Sequence, residues 1–211
     1  MQNAAFAALG LDWTYLAEEV EPEALEEVVF GLAGRGFAGA NVTAPYKLDV
    51  ARLIGAKEPS VNTLVVQPGG IKGFTTDAAV LHGLPCDRPA IVGDGGAAVA
   101  FRQALPGAHV FSRRGEWPPD VSGADLVVHA TPIVAHPVVL LKEGQTLVDL
   151  PYPGSATARA ARQARATVLD GLEVLVAQGA ASFTLWTGLP APVEIMRRAV
   201  GLSDASPRHS G

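Results

Sequence analysis

Residues 89–105 read PAIVGDGGAAVAFRQAL, and this stretch restricts the fold more than any other in the chain. An apolar run ends in Gly93-Asp94-Gly95-Gly96, and a helical pattern, AAVAFRQAL, follows at once. A short apolar run closed by glycines reads as a buried strand, and the longer apolar periodicity after it as a helix. A strand passing directly into a helix asks for a parallel sheet, whose neighbouring strands are reached only by crossovers.

The alternation continues along the chain. Residues 1–9 read as a helix and 12–20 (DWTYLAEEV) as a strand. Glu21-Pro22-Glu23 starts another helix, with proline in the first turn and acids at the positive end of the dipole. Strands are expected over 37–43, 62–66 and 70–75, the last two around the turn QPGG, and short helices over 45–54 and 77–83. In the second block HVFSR, ADLVVHATP, TLVDLPY and ATVLDG read as strands, and SATARAARQA as a helix. LEVLVAQGAASFTLWTG and VEIMRRAV close the chain as helices, expected to pack back on the first block. Short links throughout argue for parallel sheets with covering helices. Pro85 to Pro89 is the expected boundary, and the tail SDASPRHSG reads as frayed.

A net charge of −5 gives no general attraction to nucleic acid or to anionic membrane. No stretch approaches the roughly 20 apolar residues of a membrane span. MQNAAFAALG lacks the basic start and long apolar run of a signal peptide. The single cysteine, Cys86, excludes an internal disulfide and fits a reducing cytosol. His82, His109, His129, His136 and His209 have no metal-ligand spacing, and His129 at a strand end reads as structural.

Three constellations carry chemistry. Gly93, Gly95, Gly96 and Ala97 sit where a backbone can approach a pyrophosphate at a helix start, although Asp94 stands among them. Ser112-Arg113-Arg114 follows the next strand, where a Rossmann fold reads the ribose; two guanidiniums suit a 2′-phosphate, hence NADP. Lys47 and Asp77 each follow a strand, and in a parallel sheet both reach one edge, where a Lys–Asp pair can hold a hydroxyl proton. A surface salt bridge is the plain alternative for that pair. Asn41, Thr43, Asn62, Thr75, Thr76 and Gln178 would suit a polyhydroxylated ligand or serve as turn residues and caps.

Taken in order, NVTAPYK, SVNTLVV, GFTTD, VGDGGAA, SRR, DLVVHATP, DLPY and VAQGAASFTLWTG resemble the motifs of the shikimate dehydrogenase family over nearly the whole chain. The resemblance implies an α/β enzyme of two domains. An N-terminal open α/β substrate domain would take residues 1–84 plus 174–205, and a Rossmann-like NADP-binding domain 85–173. It implies a cytoplasmic oxidoreductase of aromatic amino acid biosynthesis, reducing 3-dehydroshikimate to shikimate with NADPH as a monomer or homodimer. Lys47 and Asp77 would be catalytic. Thr43, Asn62, Gln178 and Tyr152 would hold substrate, and Gly93, Gly95, Gly96, Ala97, Ser112, Arg113, Arg114 and Thr131 the cofactor.

The departures are specific. Met1 to Phe6 lines up with the helix that follows the family's first strand and S-x-S-P segment, whose serines bind the substrate carboxylate. An exposed sheet edge is therefore expected. Thr75 takes the place of the asparagine in N-T-D, and Arg114 to Asp125 leaves too little chain for the usual helix and strand. Two other readings remain at this stage: a diverged paralogue that binds NADP or a partner with weak activity or none, and a dehydrogenase of the quinate/shikimate type.

Overall fold

The computed structural model describes residues 1–84, 86–152 and 154–203; Pro85, within the expected boundary, and His209, in the polar tail, lie outside them. The chain divides into two compact units, Met1–Thr76 with Val176–Gly211, and Asp77–Leu175.

The first unit holds helix α1 (Gln2–Ala8) and, after a 3₁₀ turn at Pro22–Ala24, helix α2 (Leu25–Gly31), with Glu23, Glu26 and Glu27 in the opening turns. Strand β1 (Gly39–Asn41), helix α3 (Lys47–Leu53) and the hairpin of β2 (Thr63–Gln67) and β3 (Gly70–Phe74) follow. Gln67 pairs with Gly70, so Pro68-Gly69 is the whole turn, and Gly69 takes φ +95. The sheet runs β1-β2-β3 and is antiparallel throughout, not parallel as the alternation implied. The hairpin explains the difference, because two residues can join only antiparallel strands. Since β1 and β3 both oppose β2, they run in the same direction, and their C-terminal ends lie at one end of the sheet.

Residues 12–20 do not form the expected strand. Their pattern suits a pleat, but a strand exists only on a ladder. Asn3 holds the Tyr15 backbone from both sides, at 2.6 and 3.0 Å, and the Tyr46 hydroxyl donates to the Val20 carbonyl at 2.8 Å. Among the described strands β1 pairs only with β2. A cavity of about 400 Å³ lies between this segment and β1, lined by Tyr15, Val20, Val29, Asn41, Thr43 and Tyr46.

Beneath the sheet Val29, Leu32, Val50, Ala51, Val61 and Leu64 form one core. A second core joins α1 to helices α6 (Gly171–Thr187) and α7 (Val193–Ala199) through Ala5, Phe6, Val176, Phe183 and Met196. Phe6 and Phe183 stack at 5.4 Å between centroids, and each buried ring contributes roughly 1.5–3 kcal/mol by leaving water.

The second unit is a five-stranded parallel sheet ordered β5-β4-β6-β7-β8. Its elements are β4 (Pro89–Val92), α4 (Val99–Ala104), β5 (His109–Phe111), β6 (Leu126–His129), β7 (Thr146–Asp149), α5 (Ala156–Gln163) and β8 (Thr167–Leu169). The expected helix over 77–83 is only a 3₁₀ turn, Ala79–Leu81. Register places Ala90, Val127, Leu147 and Val168 in one row across the sheet, and Val92 beside Phe111. The core on this face is completed by Ala158 and Ala161 of α5 and by Val121, Val139 and Leu141 from the two connections flanking β6, neither of which contains a helix. Irregular chain replaces covering helices there.

Candidate active site

One end of the first sheet gathers the polar residues singled out by sequence. Thr43 is exposed after β1, and Lys47 is the first residue of α3, half-buried, its carbonyl accepting from Val61 N at 3.1 Å. Asn62 is buried beside it, and its carbonyl accepts from Val42 N at 2.8 Å. The Asn62 carboxamide faces Thr76 across the hairpin, accepting from its N–H at 2.8 Å and donating to its hydroxyl at 3.0 Å.

Sequence reading singled out Asn41 but not its partners Tyr15, Thr63 and Ser182, nor Trp186. Asn41 Nδ2 donates to Thr63 Oγ1 at 3.1 Å and to Ser182 Oγ at 3.0 Å, and the Tyr15 hydroxyl donates to Asn41 Oδ1 at 3.0 Å. Burial pushes the Tyr15 phenol above its ordinary range. Ser182 was detectable as a hydroxyl inside the apolar run of α6, where its hydrogen goes to the Gln178 carbonyl at 3.0 Å, one turn earlier. Trp186 Nε1 donates to the Leu64 carbonyl at 2.8 Å, and this indole lies so close to Gly39 that a Cβ there would collide with Nε1. The Thr75 hydroxyl is buried with no hydrogen-bond partner among the described residues.

In the second unit the predicted cofactor residues follow the C-terminal ends of successive parallel strands. Gly93, after β4, takes φ +119, and a Cβ there would stand 2.6 Å from the Ala130 carbonyl oxygen. The fold itself thus requires glycine at 93. Gly95 and Gly96 differ: added Cβ atoms would meet nothing within 4 Å, and neither has a positive φ. Their bareness serves nothing in the protein's own packing and leaves a cradle open to a bulky anion. Asp94 and Ala97 are exposed beside it.

After β5, Ser112 N donates to the Glu116 carbonyl at 3.2 Å and Gly115 N to Ser112 O at 3.0 Å, closing a turn that holds Arg113 and Arg114 at the surface. Arg113 lies over the Trp117 ring, 5.8 Å from its centroid. After β6, Thr131 Oγ1 accepts from Ile133 N at 3.2 Å and lies 2.7 Å from His129 Nε2. Tyr152, after β7, is 68% exposed. Asp77 is the first residue of this unit.

Residues 1–64 match the shikimate dehydrogenase substrate binding domain, and 171–200 the shikimate 5′-dehydrogenase C-terminal domain. The shikimate dehydrogenase (NADP(+)) of Anaeromyxobacter sp. (strain Fw109-5) is 36% identical over 249 residues, covering 95% of this chain and 89% of that protein. The chain belongs to the shikimate dehydrogenase family. The enzyme of that name from Moorella thermoacetica is 35% identical, covering 98% of this chain and 90% of its own. The shikimate 5-dehydrogenase of Thermus thermophilus, crystallised with NADP(H) and shikimate, superposes with a TM-score of 0.79 at 29% identity, covering 94% of this chain and 91% of that one. Its two-domain α/β architecture, with a Rossmann-like domain, is that of this family member. The alignment with the Anaeromyxobacter protein runs over 249 residues against 211 in the whole chain, so at least 38 aligned positions have no counterpart here.

Proposed function

We propose that this family member reduces 3-dehydroshikimate to shikimate with NADPH, and that 1–84 with 174–205 serve the substrate while 85–173 serve the cofactor. The observation that carries the reading is the open glycine cradle at Gly95 and Gly96, followed after the next strand by Arg113 and Arg114. Relatives named as NADP-dependent shikimate dehydrogenases over most of the chain support it.

NADPH, when bound, supplies a hydride to the ring carbonyl carbon. Lys47 and Asp77 are assigned to the oxygen at that carbon. The Lys47 ammonium stabilises negative charge as it develops there, and the pair delivers the proton that completes the alcohol. Asn62, Thr43, Gln178 and Tyr152 are assigned to the substrate's hydroxyls and carboxylate. The orphaned Thr75 hydroxyl adds a polar atom to the β3 end of that group. Gly93, Gly95, Gly96 and Ala97 take the pyrophosphate, Arg113 and Arg114 with Ser112 the 2′-phosphate, and Thr131 a donor group of the cofactor. The protein acts on small molecules in the cytoplasm, as a monomer or homodimer; its lone Cys86 and net charge of −5 agree with that setting.

The test is the absorbance of reduced cofactor in a mixture of protein, NADPH and 3-dehydroshikimate. Turnover that Lys47→Ala abolishes while NADPH still binds supports the enzyme. Bound NADPH without turnover replaces it with a binding protein derived from the family, a reading that Asp94, exposed in the phosphate loop, favours. Turnover of quinate in preference would move the substrate assignment.

A further inference from the structure

The C-terminal edge of the parallel sheet carries a buried polar chain that the proposed chemistry does not use. His129 and Asp149 are register partners on β6 and β7, and both are 0% exposed. His129 Nδ1 lies 2.6 Å from Asp149 Oδ1. The same oxygen accepts the Ser155 hydroxyl at 2.8 Å, and Asp149 Oδ2 accepts from Ser155 N at 3.2 Å. Ser155 is in turn the N-cap of α5, accepting from Ala158 N at 3.1 Å. The far side of the imidazole, Nε2, meets the Thr131 hydroxyl at 2.7 Å. The chain thus runs Ser155–Asp149–His129–Thr131, from a helix cap to the loop after β6.

That loop packs against Gly93, at the start of the glycine loop. Ala130 N donates to the Val92 carbonyl at 2.8 Å, and the bare face of Gly93 rests on the Ala130–Thr131 peptide. Asp149 takes hydrogens from Ser155 at both of its oxygens, so toward His129 it is the acceptor, and Nδ1 carries the hydrogen shared with Oδ1. In the tautomer with its one hydrogen at Nδ1 the ring accepts at Nε2, and the Thr131 hydroxyl gives its hydrogen inward. One Thr131 lone pair takes Ile133 N–H, and the other is left for an external N–H or O–H donor.

We propose that His129 is a positioning residue for the dinucleotide: anchored by Asp149, it fixes the Thr131 hydroxyl as an acceptor beside Gly93 for an amide or sugar-hydroxyl donor of the cofactor. The assignment rests on the NADPH reading above and extends it to two residues that touch no ligand themselves.

The test measures NADPH dissociation constants by ligand fluorescence on the whole protein, with melting temperature and shikimate affinity alongside. Thr131→Val, which keeps the side-chain shape at a half-buried site and removes only the hydroxyl, is expected to weaken NADPH about tenfold, and Thr131→Ser to stay near wild type. His129→Phe is expected to cost about tenfold alone and nothing further in the Thr131→Val background, because both changes remove one interaction. His129→Gln, whose amide can occupy the Nε2 position, should recover most of that loss even if the melting temperature falls. Shikimate affinity should hold throughout. Ring-nitrogen NMR shifts of His129 in the unliganded protein should show the Nδ1–H neutral form. Additive losses, a Gln variant as weak as Phe, a Thr131→Val without effect, or an Nε2–H signature each overturn the assignment while leaving NADPH binding intact. A wild-type protein that binds no NADPH overturns the proposed function and this assignment together.

Discussion

The Asn62 carboxamide grips Thr76 at two points, taking its backbone N–H at 2.8 Å and giving a hydrogen to its hydroxyl at 3.0 Å. Both residues are buried, at 4% and 5% exposure, so neither can exchange this pairing for water. The grip fixes the residue just before Asp77. Asn62→Ala strands the Thr76 N–H, and leaving one buried group unsatisfied costs about 1–3 kcal/mol. Urea unfolding should show a loss in that range, with turnover falling further than stability because the segment entering Asp77 loosens. Unchanged turnover in a destabilised variant would limit Asn62 to holding the fold.

Two glycines of one loop should respond in opposite ways. Gly93→Ala forces a Cβ against the Ala130 carbonyl at 2.6 Å and demands φ +119, a region L-residues avoid. Calorimetry should register a clear drop in melting temperature. At Gly95 the added methyl meets nothing within 4 Å, and φ is −76. Gly95→Ala should melt like wild type and bind NADPH at least tenfold more weakly, since the methyl fills space the pyrophosphate needs. Equal NADPH affinity in Gly95→Ala would remove the cradle from the cofactor site.

Arg113 and Arg114 lie at the surface, so their replacement should cost little stability. A charge-assisted bond to phosphate contributes about 1.5–3 kcal/mol. Arg113→Ala with Arg114→Ala should raise the KM for NADPH by tenfold or more, leave the KM for NADH nearly unchanged, and flatten the salt dependence of NADPH binding. An unchanged NADPH KM would mean that the 2′-phosphate is read elsewhere.

The second unit was largely legible because its strands are short apolar runs ending in glycine or polar residues, and the parallel order follows from the crossovers between them. The antiparallel first sheet was half-announced by Pro68-Gly69, whose two-residue turn outweighs the alternation around it. Residues 12–20 differ because hydrophobic spacing reports a burial pattern, whereas a strand must also pair with a neighbouring edge, and this segment stands off the open edge of β1 across a cavity. The polar cluster was seen only in part: Asn41 and Asn62 stand at strand ends, but Ser182 joins Asn41 from 141 residues away through packing of α6. His129 read as structural, and it is buried; its link to Asp149 is a register pairing that no local spacing encodes.

The pH response of Tyr15 tests that cluster directly. Its hydroxyl donates to Asn41 Oδ1 at 3.0 Å, and burial holds the phenol above the ordinary tyrosine value of about 10. A value raised on folding means that the fold favours the protonated form. The stabilisation is therefore complete below the unfolded value and is lost as pH rises through the folded one. Spectrophotometric titration of wild type minus Tyr15→Phe should show one phenolate appearing later than an ordinary tyrosine. The stability difference between the two proteins should be flat from neutral pH to about pH 9 and shrink above it. A Tyr15 phenolate that appears at or below the ordinary value would mean that the hydroxyl faces water and makes no bond to Asn41.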